Sequence, residues 1–264
     1  MSRQGLRAIS NLIDQAKDRL TAEQSFLNDL KRSIELTAEE ERRLPSQTYK
    51  PSSMTCIRNM WYQVTGQEQD RISANYCLIG ICNSGSDIHV RVQNAVERMR
   101  THNIDCDYID VADFVKQRNL SDIEIVARQG VETKLYHKKL NMSFLCDGII
   151  RYKNHYYVLE LKTETSYKWN TRKGVDESHY AQGTAYSIAF NIPEILFVYI
   201  NRDILDMKSF MFVPTDEMKE ELIGKIEECD SYVKSKTCPP KPEDVLKKSC
   251  EYCAYRNKCR EDGE

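Results

Sequence analysis

Hydrophobic residues recur at alternating intervals of three and four positions along the first 44 residues. The repeat, interrupted only at Glu23, consists of Leu6, Ile9, Ile13, Ala16, Leu20, Leu27, Leu30 and Ile34. Such heptad-like spacing places apolar side chains along one side of a helix. It predicts a helical arm over residues 1–45. The arm either packs on its own domain or forms a coiled coil with a partner or with a second copy of the chain.

The pattern changes at Leu44, Pro45 and Ser46, which mark a break. Helices are predicted at 54–64, with Ser53 as the N-cap residue, and at 88–102, after a turn signal at 83–86. Strands are predicted at 123–126, 134–140, 143–152, 155–162, 195–200 and 209–213. Helical patterns return at 178–190 and 215–236. This order predicts an α/β domain over residues 46–264, in which a sheet is flanked by helices.

Acidic residues interrupt two of the apolar strands. Asp147 lies in the strand at 143–152, and Glu160 and Lys162 lie two positions apart in the next one, hence on one face. Lys153 and Asn154 suit a tight turn that brings the two acids to a similar height. A buried carboxylate is costly unless it is paired or bound to a cation. The pattern predicts either a site for a hard cation such as Mg²⁺ or Mn²⁺, or an amphipathic hairpin with its acids in solvent.

Composition narrows the setting of this domain. The chain has 264 residues, 41% of them hydrophobic and 9% aromatic, so it can fold around a sizeable core. It has no apolar run long enough for a transmembrane helix, and its polar N-terminus lacks the features of a secretory signal. We therefore expect a cytoplasmic protein that does not contact a membrane. The net charge of −2 indicates no particular partner.

Ten cysteines are present, and three of them form a C-terminal group: Cys250, Cys253 and Cys259. Disulfides are rare in intracellular chains, whereas a CxxC pair lets two thiolates meet one metal centre. Cys259 is near enough to join them. A fourth ligand must come from elsewhere, because the sequence has no second CxxC. Zinc and an iron–sulfur cluster are both chemically open.

Two further pairs of residues stand in order around the predicted hairpin. Gly85 and His89 precede it, and Gln182 and Tyr186 follow it at a spacing that shares one helix face. The series Gly-x-x-x-His, Asp, Glu-x-Lys, Gln-x-x-x-Tyr resembles the motifs of RecB-like nucleases in the PD-(D/E)XK superfamily, over about residues 53–259. The resemblance implies a restriction-endonuclease-like central mixed sheet and hydrolysis of DNA phosphodiester bonds.

The same resemblance implies roles for individual residues. Lys162 is the implied catalytic lysine, which assists the attacking water. Gln182 and Tyr186 are implied to position the DNA. The implied ligands of Mg²⁺ or Mn²⁺ are His89, Asp147, Glu160 and the backbone carbonyl of Leu161.

One branch of these nucleases carries a 4Fe–4S cluster, which is bound by one early cysteine and a late CxxC-x5-C triplet. The branch includes the CRISPR-associated exonucleases and the AddB nuclease domain. Cys56 resembles the early cysteine, with Ser53 before it and Arg58 after it. The implied cluster ligands are Cys56, Cys250, Cys253 and Cys259, with Cys238 as the rival for the fourth place. Such a cluster closes the two ends of the nuclease domain.

The segment between Lys162 and Gln182 alternates cations with aromatic residues. Tyr167 and Trp169 lie among Lys168, Arg172 and Lys173. Cations suit phosphates and aromatic rings suit base stacking, which predicts contacts with single-stranded DNA, in particular from Lys168, Trp169 and Arg172. The alternative is an ordinary polar segment with one packed tryptophan.

Together these features predict a metal-dependent DNA exonuclease that prefers single strands or DNA ends. The sequence has no Walker-type phosphate loop, so a helicase or recombination protein is expected as a separate partner. The alternative is a non-catalytic DNA-end-binding subunit of a recombination or CRISPR-adaptation complex. The complete set of His89, Asp147, Glu160 and Lys162 favours the enzyme.

Overall fold

The computed structural model describes residues 21–41, 47–70, 75–129, 132–243, 250–251 and 253–263. These residues fall into two compact units. The smaller unit contains helix α1 (Ala22–Glu40) and residues 75–83, and the larger contains the rest. The predicted domain boundary near residue 45 stays a prediction, since Pro45 and Ser46 lie outside the described residues.

Helix α1 confirms the described part of the predicted arm. Thr21 and Gln24 form a capping box at its start, in which each side chain accepts a hydrogen bond from the other residue's backbone N–H. No residue of α1 is buried, and Leu27 and Leu30 are exposed on its surface. The repeat positions that lie outside the described residues are Leu6, Ile9, Ile13, Ala16 and Leu20.

The larger unit contains two sheets. The central sheet has the order β1-β5-β6-β7-β8 and is mixed, because β6 and β7 run parallel while the other pairs are antiparallel. Its strands are β1 (Cys106–Ile109), β5 (Gly148–Tyr152), β6 (His155–Glu164), β7 (Ile195–Asn201) and β8 (Met207–Phe212). The smaller antiparallel sheet consists of β2 (Ile123–Gln129), β3 (Glu132–His137) and β4 (Met142–Cys146).

Helices surround these sheets. The described ones are α2 (Ile57–Val64), α3 (Tyr76–Glu97), α4 (Val111–Gln117), α5 (Ser166–Thr171), α6 (Tyr180–Phe190), α7 (Asp216–Ser235) and α8 (Arg256–Glu261). The predicted fold class, a mixed sheet flanked by helices with a cysteine-rich C-terminal segment, is confirmed. No helix in the described part of the chain combines the length and apolar character needed to cross a membrane.

The hairpin between β5 and β6 is the one predicted from the sequence. Lys153 and Asn154 both have positive φ values, 48° and 67°, as a two-residue hairpin turn requires. The register pairs Tyr152 with His155 and Gly148 with Leu159. This register, continued by one position beyond Gly148, brings Asp147 opposite Glu160 of β6.

The strand predicted at 143–152 is wrong as a single element. It divides at Asp147: β4 pairs with β3 in the small sheet, whereas β5 pairs with β1 and β6 in the central sheet. A local pattern cannot show this division, because both halves are apolar and differ only in their distant partners. The division leaves Asp147 at the junction of the two sheets.

The helix predicted at 88–102 is also wrong at its start. Helix α3 begins at Tyr76 and runs unbroken through the predicted turn signal at 83–86. Gly85 serves close approach instead of a turn, since a Cβ atom there would lie 3.1 Å from Thr163 Oγ1 of β6. Ser53 is likewise not an N-cap: Cys56 precedes α2, and Ser53 Oγ accepts a hydrogen bond from Gln63 Nε2 at 2.7 Å.

Helix α6 packs against the central sheet at short range. Ala185, Tyr186 and Phe190 belong to the same buried core as Phe197 of β7. The contact depends on Gly183, because a Cβ atom there would lie 2.7 Å from Phe212 Cδ1. Gly183 therefore sets the distance at which α6 holds its neighbour Gln182 over the sheet.

We expect Gly183→Ala to lower the free energy of unfolding by about 1–3 kcal/mol, because the added methyl group overpacks against a buried ring. Urea denaturation measures this. Gly224→Ala is the matched control, since Gly224 lies in α7 with open space around it. The control should raise stability by up to about 1 kcal/mol. Equal effects of the two substitutions would contradict the close approach.

Candidate active site

Asp147 is held at the junction of the two sheets by four neighbours. Its side chain is buried, and Oδ2 accepts the backbone N–H of Leu161 at 2.7 Å. Its backbone carbonyl accepts hydrogen bonds from Gln93 Nε2 at 2.8 Å and from the Tyr108 hydroxyl at 2.9 Å. Asp147, the residue at which the strand divides, thus has its carboxylate fixed beside β6.

His89 is the fourth neighbour of Asp147. Helix α3 places its Nδ1 atom 3.3 Å from Asp147 Oδ1. Burial lowers the pKa of His89, but the hydrogen bond to Asp147 and the charges of Asp147 and Glu160 outweigh it, so the net shift is upward. The structure therefore brings the predicted histidine to the predicted aspartate.

Glu160 and Lys162 lie on one face of β6 and contact each other. Lys162 Nζ donates to Glu160 Oε1 at 2.7 Å and to Gln182 Oε1 at 2.8 Å. Gln182 Nε2 donates to the same Glu160 oxygen at 2.7 Å and to the Tyr186 hydroxyl at 2.9 Å. The Tyr186 hydroxyl in turn donates to the Leu145 carbonyl at 2.8 Å. The network ties α6 to both sheets.

Burial raises the pKa of Glu160 to about 7, and the charge of Asp147 adds to the increase while Lys162 opposes it. The cause is the cost of removing a charged carboxylate from water beside another carboxylate. Any bound cation would offset that cost. The donor set of two carboxylates and one imidazole fits Mg²⁺ or Mn²⁺, whose preferred ligands are mainly oxygens.

The described residues contain no group of three or more His, Cys, Asp or Glu side chains arranged closely enough to hold a single metal ion. Instead, Lys162 compensates the charge of Glu160, and His89 that of Asp147. Leu161 is buried and its N–H is used by Asp147. Ligation by its carbonyl stays a prediction.

Gln93 and Tyr108 are functional neighbours that the sequence analysis missed. Gln93 lies four residues after His89, so the two share one face of α3, and this spacing was the available signal. Tyr108 lies on β1, a strand that was not predicted. A Cβ atom on Gly148 would lie 2.6 Å from Tyr108 Cε2, so Gly148 provides the space for this contact.

The four predicted cluster cysteines lie on the wall of one cavity of about 800 Å³. Burial raises the pKa of the Cys56 thiol, and Cys250 and Cys259 add to the increase. The same causes raise the pKa of Cys253. Cys56 thus lies near the three C-terminal cysteines, from which it is far apart in sequence. A four-iron cluster binds one thiolate at each iron, so its ligands stand further apart than ligands sharing one ion.

Arg58 connects this group to Cys238. Its guanidinium is buried and donates to Cys259 Sγ at 3.3 Å and to Cys238 Sγ at 3.4 Å. Cys238 is not on the cavity wall, whereas Cys56 is. The position of Cys56 favours it over Cys238 as the fourth member of the group.

The cavity wall extends from the cysteines to the two side chains that contact Glu160. Lys162, His179 and Gln182 line it together with the four thiols. Among the described residues that line it, Glu251 is the one acid, and the further cations are Lys50, Arg58, Lys241, Arg256 and Arg260. A chain with a net charge of −2 thus has a locally basic cavity.

Two of the predicted DNA contacts require correction. Arg172 does not present its charge to solvent: its guanidinium donates to Glu164 Oε2 at 2.9 Å and to Asp176 Oδ2 at 3.0 Å, with its side chain 8% exposed. Trp169 packs against the core, and Lys208 Nζ lies 4.0 Å from its ring centroid. Both side chains are occupied by structural contacts, which favours the alternative of a polar segment with one packed tryptophan.

Lys168 and Tyr167 are placed differently. Lys168 is about half exposed, with Nζ 3.4 Å from Asp176 Oδ2, and Tyr167 is 84% exposed. Lys173 is exposed as well, so Tyr167, Lys168 and Lys173 are the named members of the segment that retain surface available for DNA.

No family model matches the chain, and no curated protein matches it. Among solved structures, the crystal structure of SSO0001 superposes with a TM-score of 0.50 and 14% identity, over 90% of this chain and 98% of that one. At this identity the likeness concerns the fold alone. An alkaline exonuclease, LHK-Exo from Laribacter hongkongensis, gives a TM-score of 0.38 and 10% identity, over 73% of this chain and 90% of that one. A TM-score this low carries no information on function.

We expect Arg172→Gln to lower the free energy of unfolding by about 3 kcal/mol, because it leaves the buried carboxylate of Glu164 without its partner. The exposed neighbour gives the control: Lys168→Gln should change stability by no more than about 0.5 kcal/mol. Thermal and urea denaturation measure both. A stable Arg172→Gln protein would show that the ion pair has no structural role.

Proposed function

We propose that the chain is a Mg²⁺- or Mn²⁺-dependent DNA nuclease of the RecB-like PD-(D/E)XK kind. One observation carries the proposal. Residues from two helices, one strand and the sheet junction come together beside β6: His89 contacts Asp147, whose carboxylate also accepts the Leu161 N–H, while Lys162 and Gln182 contact Glu160. Such convergence of buried titratable groups is typical of active sites, and Lys162 and Gln182 of this group line the cavity.

Three side chains would hold the catalytic cation: His89, Asp147 and Glu160, with the Leu161 carbonyl as the implied backbone ligand. When bound, Mg²⁺ or Mn²⁺ supplies a water of lowered pKa and neutralises charge on the phosphate. Both hydrogen bonds to Glu160 reach Oε1. Within the described residues, Oε2 has no hydrogen-bond donor and is the oxygen left for a cation.

The remaining residues orient the substrate, the attacking water and one another. Lys162 carries its ammonium at the end of a chain of hydrogen bonds, where it offsets phosphate charge and orients the attacking water. Gln182 fixes Lys162 and Glu160 at once. Tyr186 is fully buried and fixes Gln182. We therefore assign Tyr186 to positioning Gln182, and we do not assign it a contact with DNA.

The basic wall of the cavity supports DNA as the substrate. Cationic side chains bind phosphates regardless of sequence. The cavity connects to Lys162, so a strand lying along it would present its backbone to the network. We propose an exonuclease acting on single strands or DNA ends, with a helicase or recombination protein as its partner. The arm over residues 1–45 is the proposed site of self-association.

We further propose that Cys56, Cys250, Cys253 and Cys259 hold a 4Fe–4S cluster. Their shared place on one wall and their mutual effect on thiol pKa support it. Such a cluster would tie α2 to the C-terminal segment. None of the ten cysteines forms a disulfide, so these four thiols are available as ligands.

We expect the purified protein to degrade end-labelled single-stranded DNA with Mn²⁺. Glu160→Gln and Lys162→Met should each lower the cleavage rate at least about 100-fold, because each removes a group that acts on the developing charge. Gel analysis of the labelled products measures the rate. Lys139→Met is the control, since Lys139 is exposed on the turn between β3 and β4, where it forms an ion pair with Asp122.

Undiminished cleavage by Glu160→Gln would indicate a contaminating nuclease. Tight DNA binding without any cleavage by the wild-type protein would support the alternative, a non-catalytic DNA-end-binding subunit. Fluorescence anisotropy of the same oligonucleotide measures binding and distinguishes that outcome from a protein that does not bind DNA.

Anaerobically purified protein should be brown and contain about four iron atoms per chain. Cys253→Ser and Cys56→Ser should lose iron, whereas Cys77→Ser, in the smaller unit, should retain it. Cys238→Ser should also retain it. Iron loss in Cys238→Ser but not in Cys56→Ser would show that Cys238, and not Cys56, is the fourth ligand. A colourless protein containing zinc would refute the cluster.

A further inference from the structure

His179 lies on the cavity wall three residues before Gln182, and the chemistry described above does not use it. Its ring stacks on Phe197 and Tyr199, with centroids 6.0 Å and 5.8 Å away and interplanar angles of 12° and 24°. Its Nδ1 atom lies 2.8 Å from the Tyr199 hydroxyl oxygen. The imidazole is therefore fixed in position from within the protein.

The neighbours of Tyr199 determine where the ring hydrogen of His179 lies. The backbone N–H of Asp176 donates to the Tyr199 hydroxyl oxygen at 3.0 Å. Tyr199 is fully buried, so its own hydroxyl hydrogen needs an acceptor, and His179 Nδ1 is within reach. If Nδ1 carried the hydrogen instead, the buried hydroxyl would lose its acceptor. The hydrogen of a neutral His179 is thus on Nε2.

The surroundings also keep the ring uncharged. Burial lowers the pKa of His179 to about 3, and the positive charge of Lys162 adds to the decrease. Lys168 and Arg172 act in the same direction, while Asp176 opposes them. His179 is accordingly a neutral N–H donor, and it lies close enough to Lys162 for the ammonium charge to lower its pKa.

We propose that Nε2–H of His179 donates a hydrogen bond to a non-bridging phosphate oxygen of the DNA strand in this cavity, and this inference rests on the proposed nuclease function. A phosphate is favoured over a base because the donor shares its wall with Lys162 and other cations. A neutral donor adds directionality to the charge of Lys162 without repelling it. The contact positions the strand in register with the carboxylate network.

The test changes the protein and the DNA separately and together. His179→Ala removes the donor, and a methylphosphonate linkage, moved stepwise along a short single strand, removes one anionic oxygen. We expect His179→Ala to cleave unmodified DNA about 100-fold more slowly with Mn²⁺ in single-turnover reactions. His179→Gln, which keeps an N–H at a similar reach, should restore most of that loss.

At one position of the methylphosphonate linkage, the cleavage rate of the wild-type protein should fall by a similar factor. The same linkage should slow His179→Ala little further, since two changes that break one contact are not additive. Additive losses at every linkage would overturn the contact. An unchanged rate in His179→Ala would overturn it as well. Wild-type protein that cleaves no DNA would overturn the nuclease proposal, and the phosphate contact with it.

The tautomer is measured without activity by the ¹⁵N resonances of histidine-labelled protein, assigned through their loss in His179→Gln. Nε2 should be protonated and Nδ1 unprotonated between about pH 5 and pH 8. Tyr199→Phe, which keeps the stacking ring, should convert His179 into a mixture of tautomers and slow cleavage. A protonated Nδ1 in the wild-type protein would refute the inference even if the nuclease is active.

Discussion

The arrangement of the candidate site depends on the burial of two carboxylates side by side. Asp147 and Glu160 face each other across the hairpin, and each would be costly there without compensation. Leu161 N–H and His89 meet Asp147, and Lys162 and Gln182 meet Glu160. The compensating groups come from α3, β6 and α6. The packing of these elements is therefore tied to the charge of the site, and a bound cation would act on the same balance.

Close approach of backbone to side chain makes this convergence geometrically feasible. Gly85 lets α3 approach Thr163, Gly148 leaves space for Tyr108, and Gly183 lets α6 approach Phe212. Gly148 directly follows Asp147, Gly183 directly follows Gln182, and Gly85 lies about one helical turn before His89. Small residues thus set the distances over which the polar groups can form hydrogen bonds of normal length.

A second group of compensated charges supports the cavity wall. Arg172 joins Glu164 and Asp176, while Asp176 N–H and His179 meet on the Tyr199 hydroxyl. Arg172, which the sequence pattern assigns to the DNA surface, therefore supports the wall of the cavity from inside. The same cavity wall contains the four cysteines, so the proposed DNA site and the proposed cluster share one structural framework.

The sequence by itself determined the hairpin. The turn residues Lys153 and Asn154 and the two-residue period of a strand were enough to bring Asp147 opposite Glu160 and to place Lys162 on the same face, and helical periodicity paired Gln182 with Tyr186. Tertiary structure decided what depends on distant partners: the division at Asp147, the unbroken α3 that delivers His89, the gathering of Cys56 with the C-terminal thiols, and the internal ion pair of Arg172. Local patterns record which face a residue occupies. They do not record which element covers that face, because that is fixed by packing between segments far apart in the chain.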